Sequence, residues 1–279
     1  MDPLAGLLTE QSNPASAGID ELPTVEMLRV MNNEDHKVAD SVAMELPQIA
    51  RAVDAVAEAL RNGGRLFYIG AGTSGRLGVL DASECPPTFN VPAEMVQGII
   101  AGGEAALSKP TETTEDDPAI GVRDLQARGF GSRDVLCGIA ASGRTPYVLG
   151  AIDEANRISA VTIGISCTPG SELSRRAQIA ITPIPGPEII AGSTRLKAGT
   201  ATKLVLNMVT TGCFIRMGYV RGNLMVNVQP KNIKLRDRAQ RIISSATGAS
   251  YEEAGRILTE SGDDVRTAIT AWEHRKSNG

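Results

Sequence analysis

Histidine and aromatic residues are scarce in this chain of 279 residues, and basic residues are not in excess. Two histidines, His36 and His274, are too few for the usual histidine-based metal sites, so we expect no metal. Aromatic residues make up 3% of the chain, which leaves little for stacking on bases. The net charge is -4, whereas a nucleic-acid-binding surface carries a basic excess. We therefore expect no nucleic-acid partner.

Long apolar runs and paired cysteines are also missing. No stretch approaches the roughly 20 apolar residues needed to span a bilayer, so no membrane partner is expected. The first residues, Met1 to Leu4, lack the basic and apolar regions of a signal peptide. The cysteines are spaced unlike a zinc site or a disulfide framework: Cys85, Cys137, Cys167 and Cys213. These features predict a cytoplasmic protein with reduced, buried thiols.

Five short apolar runs, mostly separated by helical patterns, indicate alternating strands and helices. This alternation predicts an α/β fold, a doubly wound and mainly parallel sheet with helices on both faces. Helical spacing precedes the sheet from about Val38 to Arg61, and a long helix is expected from about Thr194 to Met217. The predicted strands are Leu66–Ile69, Met95–Ile100, Val135–Ala140, Ala160–Ile165 and Ile179–Thr182.

The C-terminal residues show three short amphipathic segments and no strand pattern. The first segment ends at Thr247-Gly248, and the second opens with a capping box from Ser250 to Glu253. The third follows Gly262-Asp263. We expect an N-terminal helical segment over residues 1–62, an α/β domain over 63–230 and a small three-helix domain over 231–279.

A glycine-rich turn, Gly70-Ala71-Gly72-Thr73-Ser74-Gly75, follows the first predicted strand. It matches the G-x-G-x-x-G fingerprint of dinucleotide sites, but no acidic residue closes the Met95–Ile100 strand to hold a ribose. The adjacent hydroxyls of Thr73 and Ser74 favour a monophosphate held at a helix N-terminus. A tight turn without a ligand is the alternative.

Two more hydroxyl-bearing turns precede predicted helices. They are Ser142-Gly143-Arg144-Thr145-Pro146, where Thr145 is placed to cap a helix, and Gly192-Ser193-Thr194-Arg195-Leu196-Lys197. The Gly70–Gly75 and Ser142–Pro146 turns follow parallel strands, so they emerge at the carboxyl edge of the sheet, where ligands bind. Three such turns predict an anionic ligand with several polar groups, such as a sugar phosphate.

Three long motifs resemble those of the N-acetylmuramic acid 6-phosphate etherase family. They run from Tyr68 to Phe89, from Ile139 to Tyr147 and from Gly192 to Thr200, and the resemblance covers nearly the whole chain. It implies a sugar isomerase (SIS) domain over 63–230 and a ubiquitin-associated-like fold for the three C-terminal helices. It also implies cleavage of a D-lactyl ether in cell-wall amino-sugar recycling, giving N-acetylglucosamine 6-phosphate and D-lactate, without a cofactor.

The resemblance places the two catalytic glutamates on Glu84 and Glu115, one the proton donor and the other the base. Such chemistry needs one ionised and one protonated carboxyl group. Taken alone, the acidic run at residues 115–117 also fits a solvated helix start. Glu112 is a further substrate-binding candidate and the alternative base. Glu84 precedes Cys85-Pro86-Pro87, which we expect to end any helix there.

The motifs also assign the substrate-binding residues, which are Thr73, Ser74, Ser142, Thr145, Thr194, Arg195 and Lys197. The chain departs from the family at Thr113 and Thr114, where small residues are usual, and at Leu196, where methionine is usual. One SIS domain per chain is half of the family's two-domain arrangement, so we expect a homodimer. A ketose–aldose isomerase and a non-catalytic sugar-phosphate sensor, like the related glucokinase regulatory protein, are the alternatives.

Overall fold

The computed structural model describes residues 8–109 and 114–277, with side chains through residue 274. Three short 3-10 helices, Leu8–Glu10, Pro14–Ser16 and Ile19–Glu21, lead into α1 (Thr24–Ala43) and α2 (Leu46–Arg61). The pattern from Val38 to Arg61 therefore belongs to two helices and not to one. Pro47 lies in the first turn of α2, where its missing N–H costs nothing, and it disfavours helical backbone just before it.

Five parallel strands form the central sheet, which confirms the predicted fold class. The strands are β1 (Leu66–Gly70), β2 (Val96–Ile100), β3 (Val135–Ile139), β4 (Val161–Ile165) and β5 (Ile179–Ile181), in the order β2-β1-β3-β4-β5. The connecting helices are α3 (Gly72–Phe89), α4 (Pro118–Ala127), α5 (Pro146–Arg157) and α6 (Glu172–Arg176). The chain leaves β1 toward β2 and returns to β3 on its other side. The gap between β1 and β3 is thus the switch point, where ligands bind in such sheets.

The strands are nearly continuous apolar runs because both faces of the sheet are covered. Every residue of β1 and β3 is buried, as parallel sheets require. Phe67, Leu136 and Ile152 pack in one cluster with Tyr147, whose hydroxyl donates to Asp124 Oδ2 at 2.7 Å. Burial and this hydrogen bond raise the pKa of Tyr147, so it stays neutral.

An ion pair fastens the amino ends of β1 and β3. The Arg65 guanidinium donates to both carboxylate oxygens of Asp134, with Nη2 at 2.8 Å from Oδ2, and the Arg65 main-chain N–H donates to Oδ1 at 2.8 Å. Asp134 also accepts the Gly131 N–H at 2.9 Å. Both carboxylate oxygens of Asp134 are therefore hydrogen-bonded within the protein.

The long helix α7 (Lys197–Arg216) confirms the helix expected there, with a start three residues later. The chain divides into two compact units, residues 1–83 with 93–211 and residues 84–92 with 212–279. This division differs from the boundaries at 62/63 and 230/231, which stay a prediction. No helix among the described residues is long and apolar enough to cross a membrane.

The second unit holds the three predicted C-terminal helices, preceded by a short hairpin. The hairpin pairs β6 (Val220–Arg221) with β7 (Leu224–Met225), and the helices are α8 (Ile233–Thr247), α9 (Tyr251–Glu260) and α10 (Val265–Ser277). Ser250 and Glu253 form the expected capping box at the start of α9. Ile243, Leu258 and Ile269 are almost fully buried in one small core.

Candidate active site

The turn between β1 and α3 is built on glycines in close contact. A Cβ at Gly70 would lie 2.7 Å from the Gly75 nitrogen, and one at Gly75 would lie 2.6 Å from the Gly70 oxygen. Gly72 has φ +51°, in the left-handed region that glycine adopts without strain. Larger residues would open the turn. The glycines therefore let α3 begin directly at the end of β1.

The start of α3 keeps its hydrogen-bond donors free. The first main-chain bond at this end is Gly75 N–H to Ala71 O at 3.2 Å. Among the described residues, the N–H groups of Gly72, Thr73 and Ser74 and both side-chain hydroxyls have no protein partner. These donors, with the positive end of the helix dipole, form a site suited to an anion.

The turn after β3 brings Ser142 and Thr145 to the same edge of the sheet. Gly143 has φ +65°, and a Cβ there would lie 2.3 Å from Ser171, so this turn accepts only glycine. Thr145 is the residue before α5, as predicted, but its hydroxyl makes no capping bond. Pro146 has no N–H, and the Tyr147 N–H donates to the Glu115 carbonyl oxygen at 3.0 Å. The main chain of α5 therefore has fewer free donors than that of α3. The Thr145 hydroxyl has no partner among the described residues.

The start of α7 is occupied by a carboxylate of the protein. Glu188, 2% exposed, accepts the main-chain N–H groups of Lys197 at 2.8 Å and Ala198 at 2.9 Å. An external phosphate would have to displace this carboxylate to reach these donors. The side chains of Thr194, half-buried, and Arg195, exposed, remain without protein partners in the described part of the chain.

Contacts through Cys167 and Gly199 bring the three turns together. The Cys167 N–H donates to Ala141 O at 2.8 Å, and its thiol lies 3.9 Å from Ala198 O. A Cβ at Gly199 would lie 3.6 Å from Thr73 Cγ2. Burial, with a smaller effect of Glu188, raises the pKa of the Cys167 thiol to about 12, so it is no nucleophile at neutral pH. Cys167 packs the turns against each other.

The position of the Lys197 side chain does not agree with its predicted role as a substrate contact. Its side chain is fully buried, and its ammonium donates to Glu34 Oε2 at 2.7 Å and to Pro185 O at 2.9 Å. Cation and acceptors are therefore already paired inside the protein. The motif placed Lys197 next to the site, but the direction of its side chain could not be read from the motif.

Glu84 lies in α3, which continues past Pro86 and Pro87 to Phe89. The expectation that these prolines end the helix is wrong. The fixed φ of proline is that of a helix, so α3 continues although each proline removes one N–H donor. The Glu84 side chain is exposed.

Glu115 is half-buried and precedes α4. Asp117, two residues later, caps that helix by accepting the Ala119 N–H at 2.8 Å, as expected of a solvated helix start. Glu112 and Thr113 lie outside the described residues. A cavity of about 620 Å³ runs along β2, with Ile100, Gly103 and Thr114 in its wall, so Glu115 follows directly on a cavity-lining residue.

Three buried carboxylates near these turns were not predicted: Glu34, Asp81 and Glu188. Asp81 accepts hydrogen bonds from Tyr68 at 3.0 Å and Asn207 at 2.9 Å, and burial raises its pKa. A signal was present for Glu34, which shares the buried stripe of α1 with Val38 and Val42. An acid on an apolar helix face needs a buried partner.

Comparisons with known proteins place these motifs among named relatives. The family model "Glucokinase regulatory protein N-terminal SIS domain" matches residues 48–156. Proteins named N-acetylmuramic acid 6-phosphate etherase match nearly the whole chain. That of Clostridium botulinum (strain Hall) is 54% identical over 94% of this chain and 87% of the relative. That of Photorhabdus laumondii is 56% identical over 95% and 88%, respectively.

Solved structures share the fold at low sequence identity. A phosphoheptose isomerase from Neisseria gonorrhoeae has a TM-score of 0.53 and 15% identity, covering 68% of this chain and 98% of its own. An E. coli CFT073 protein, solved in complex with A5P, has a TM-score of 0.52 and 14% identity, covering 72% and 97%. These likenesses support the fold assignment.

Proposed function

The chain belongs to the N-acetylmuramic acid 6-phosphate etherase family, and on that premise we propose that it cleaves the D-lactyl ether of N-acetylmuramic acid 6-phosphate. The products are N-acetylglucosamine 6-phosphate and D-lactate, and the reaction serves amino-sugar recycling. The observation that carries this proposal is identity of 54–56% over about 95% of the chain to etherases. The free donors at the start of α3 are consistent with a phosphorylated substrate.

The 6-phosphate binds at the switch point between β1 and β3. The N–H groups of Gly72 to Ser74 and the hydroxyls of Thr73 and Ser74 donate to its oxygens. Ser142 and Thr145 approach from the neighbouring turn, and Thr194 and Arg195 add a hydroxyl and a positive charge. Glu188 already fills the start of α7, so the main-chain cradle is that of α3.

The two glutamates carry out an elimination followed by addition of water. In the open-chain aldehyde, the C2 hydrogen is acidic because it lies next to the carbonyl group. Glu115 removes this proton, the C3–O bond breaks, and Glu84 protonates the departing lactyl oxygen. Water then adds at C3 of the unsaturated aldehyde while a proton returns to C2. The sum is hydrolysis of the ether, with atoms and charges balanced. Glu112 is the alternative base.

The enzyme acts in the cytoplasm as a homodimer. The four cysteines are buried and form no disulfide bonds, which suits a reducing compartment. One SIS domain per chain supports pairing of two chains. Light scattering of the purified protein should give twice the 29.3 kDa of one chain. A particle of 29.3 kDa at working concentration contradicts the dimer.

One assay tests the proposed activity against the two alternatives. Incubation with N-acetylmuramic acid 6-phosphate should release D-lactate, measured by a D-lactate dehydrogenase. The unphosphorylated sugar should react far more slowly, because binding of the remote phosphate positions C2 and C3. Interconversion of ketose and aldose phosphates without lactate would support the isomerase, and binding without turnover would support the sensor.

A further inference from the structure

Four buried polar side chains lie together beside the third turn. We call them the anchor cluster: Asn13, Glu34, Glu188 and Lys197. Each of them is at most 6% exposed. Glu34 Oε2 accepts Lys197 Nζ at 2.7 Å and Asn13 Nδ2 at 3.0 Å. Every charged group in the cluster thus has an oppositely charged or hydrogen-bonded partner.

The anchor cluster holds the chain on both sides of the third turn. Before the turn, Pro185 O accepts Lys197 Nζ at 2.9 Å and Pro187 O accepts Asn13 Nδ2 at 3.0 Å. After the turn, the Glu188 carboxylate holds the first N–H groups of α7. Residues 189–196 are therefore a short loop with both ends fixed to α1 and to the N-terminal segment.

The N-terminal segment adds two main-chain contacts to the same loop. Gly192 N–H donates to Thr9 O at 2.9 Å, and the Ser16 hydroxyl donates to Ile189 O at 2.8 Å. Thr194 O then accepts the Gly199 N–H at 2.9 Å, next to Thr73. A continuous series of contacts thus connects Glu34, through Lys197, to the turn that carries Thr194 and Arg195.

A buried ion pair is a costly way to gain stability alone. Replacing both partners by uncharged groups is often neutral, whereas removing one partner costs about 3–5 kcal/mol. The pair does provide directional bonds that fix one geometry. Burial would raise the pKa of Glu34, but hydrogen bonds from Lys197, Lys37 and Asn13 lower it to about 2, so the carboxylate remains charged.

We infer that Lys197 is a positioning residue: paired with Glu34 and Pro185, it fixes the Gly192–Leu196 turn so that Thr194 and Arg195 meet the substrate phosphate. Lys197 itself touches no substrate. This inference rests on the proposed function for the identity of the ligand. It gives Glu34, which lies in α1 outside the sheet, a role in shaping the phosphate site.

The test separates positioning from stability with three variants. Lys197→Met leaves the buried Glu34 with only Lys37, largely exposed, as a cation and should be the least stable. The double variant Lys197→Met/Glu34→Gln removes both charges and should recover most of the lost stability. The matched control, Arg65→Met/Asp134→Asn, removes the ion pair at the amino ends of the strands. Melting temperatures, KM and kcat are measured for each, below the melting temperature of the weakest variant.

If Lys197 positions the turn, KM should rise by about tenfold in both Lys197 variants, and kcat should change much less. The control should keep its KM at the wild-type value, whatever change in melting temperature accompanies it. A double variant with wild-type KM, or a control with an equally raised KM, would overturn the inference. If Lys197→Met does not fold, the double variant and the milder Asn13→Ala, which should raise KM two- to threefold, answer the same question.

Hydrogen exchange without substrate keeps this test independent of the proposed activity. Amides of residues 192–196 should exchange faster in the Lys197 variants than in the wild type and the control. A wild-type protein that releases no D-lactate would contradict the proposed function, while faster exchange would still support positioning. Unchanged exchange in the double variant would overturn the positioning role, whatever the activity.

Discussion

The amino and carboxyl edges of the sheet are stabilised by similar ion pairs but differ in what they leave unpaired. Arg65–Asp134 at the amino edge and Lys197–Glu34 near the carboxyl edge have closest N–O distances of 2.8 and 2.7 Å. In both pairs the carboxylate is buried. At the amino edge, main-chain groups complete the bonds of Asp134. At the carboxyl edge, the N–H groups at the start of α3 and the hydroxyls of Thr73 and Ser74 have no protein partner among the described residues, and the phosphate is proposed to bind there.

The largest loss of activity should come from removing one of the two proposed catalytic carboxylates and not from removing an exposed carboxylate at the amino edge. Glu115→Gln and Glu84→Gln should each lower kcat for D-lactate release by about 10²–10⁴-fold, because a positioned base or acid is lost. Glu94→Gln, an exposed glutamate just before β2 at the amino edge, should leave kcat unchanged. Initial rates of lactate release measure all three variants.

Solvent deuterium exchange at C2 then separates the two roles. Glu84→Gln should still exchange the C2 hydrogen, since the base remains, whereas Glu115→Gln should not. The reverse pattern would exchange the assigned roles. A nearly normal Glu115→Gln together with an inactive Glu112→Gln would move the base to Glu112.

The second prediction concerns how acid changes the stability that the Glu34–Lys197 pair provides. The pKa of Glu34 is about 2 in the folded protein against 4.5 for an ordinary glutamate. Its stabilisation, about 3 kcal/mol from this difference, is therefore complete above pH 4.5 and is lost as the pH falls toward 2. Urea unfolding should show a stability gap between wild type and Glu34→Gln that narrows over this range. A gap independent of pH would contradict the prediction.

The smallest expected effect on activity comes from replacing one serine, compared between the two edges of the sheet. Ser74→Leu places a bulky apolar side chain at the free donors of α3 and should raise KM by about tenfold or more, with little loss of stability. The control is Ser132→Leu, an exposed serine before β3, which should leave KM unchanged. Equal KM values for the two variants would move the phosphate away from α3.

The sheet could be predicted from the sequence because its strands are short, apolar and interrupted by helical patterns. Both faces of β1 and β3 are buried, so hydrophobicity alone locates them. The three turns were located for a similar reason, since glycine and hydroxyl residues mark strand-to-helix connections. Their contact through Cys167 and Gly199 depends on tertiary packing, which no local pattern encodes.

Side-chain direction explains most of what sequence reasoning missed. Lys197 follows the same motif as Thr194 and Arg195, but the first turn of α7 points its side chain inward to Glu34. The end of α3 differs from the expectation because the fixed φ of Pro86 and Pro87 is compatible with a helix, although each removes one N–H donor. Glu188 lies in an irregular stretch without periodicity, so its pairing with α7 left no signal.

Glu34 and Lys197 are 163 positions apart in the chain, which has a consequence for how the protein is made. Such a non-local contact can form only after most of the polypeptide has been synthesised, and it closes late because a long loop must first be ordered. A nascent chain that ends before α7 holds the Ser74 and Ser142 turns without their third neighbour. On the proposed phosphate site, full affinity for a sugar phosphate is therefore expected only after α7 has left the ribosome.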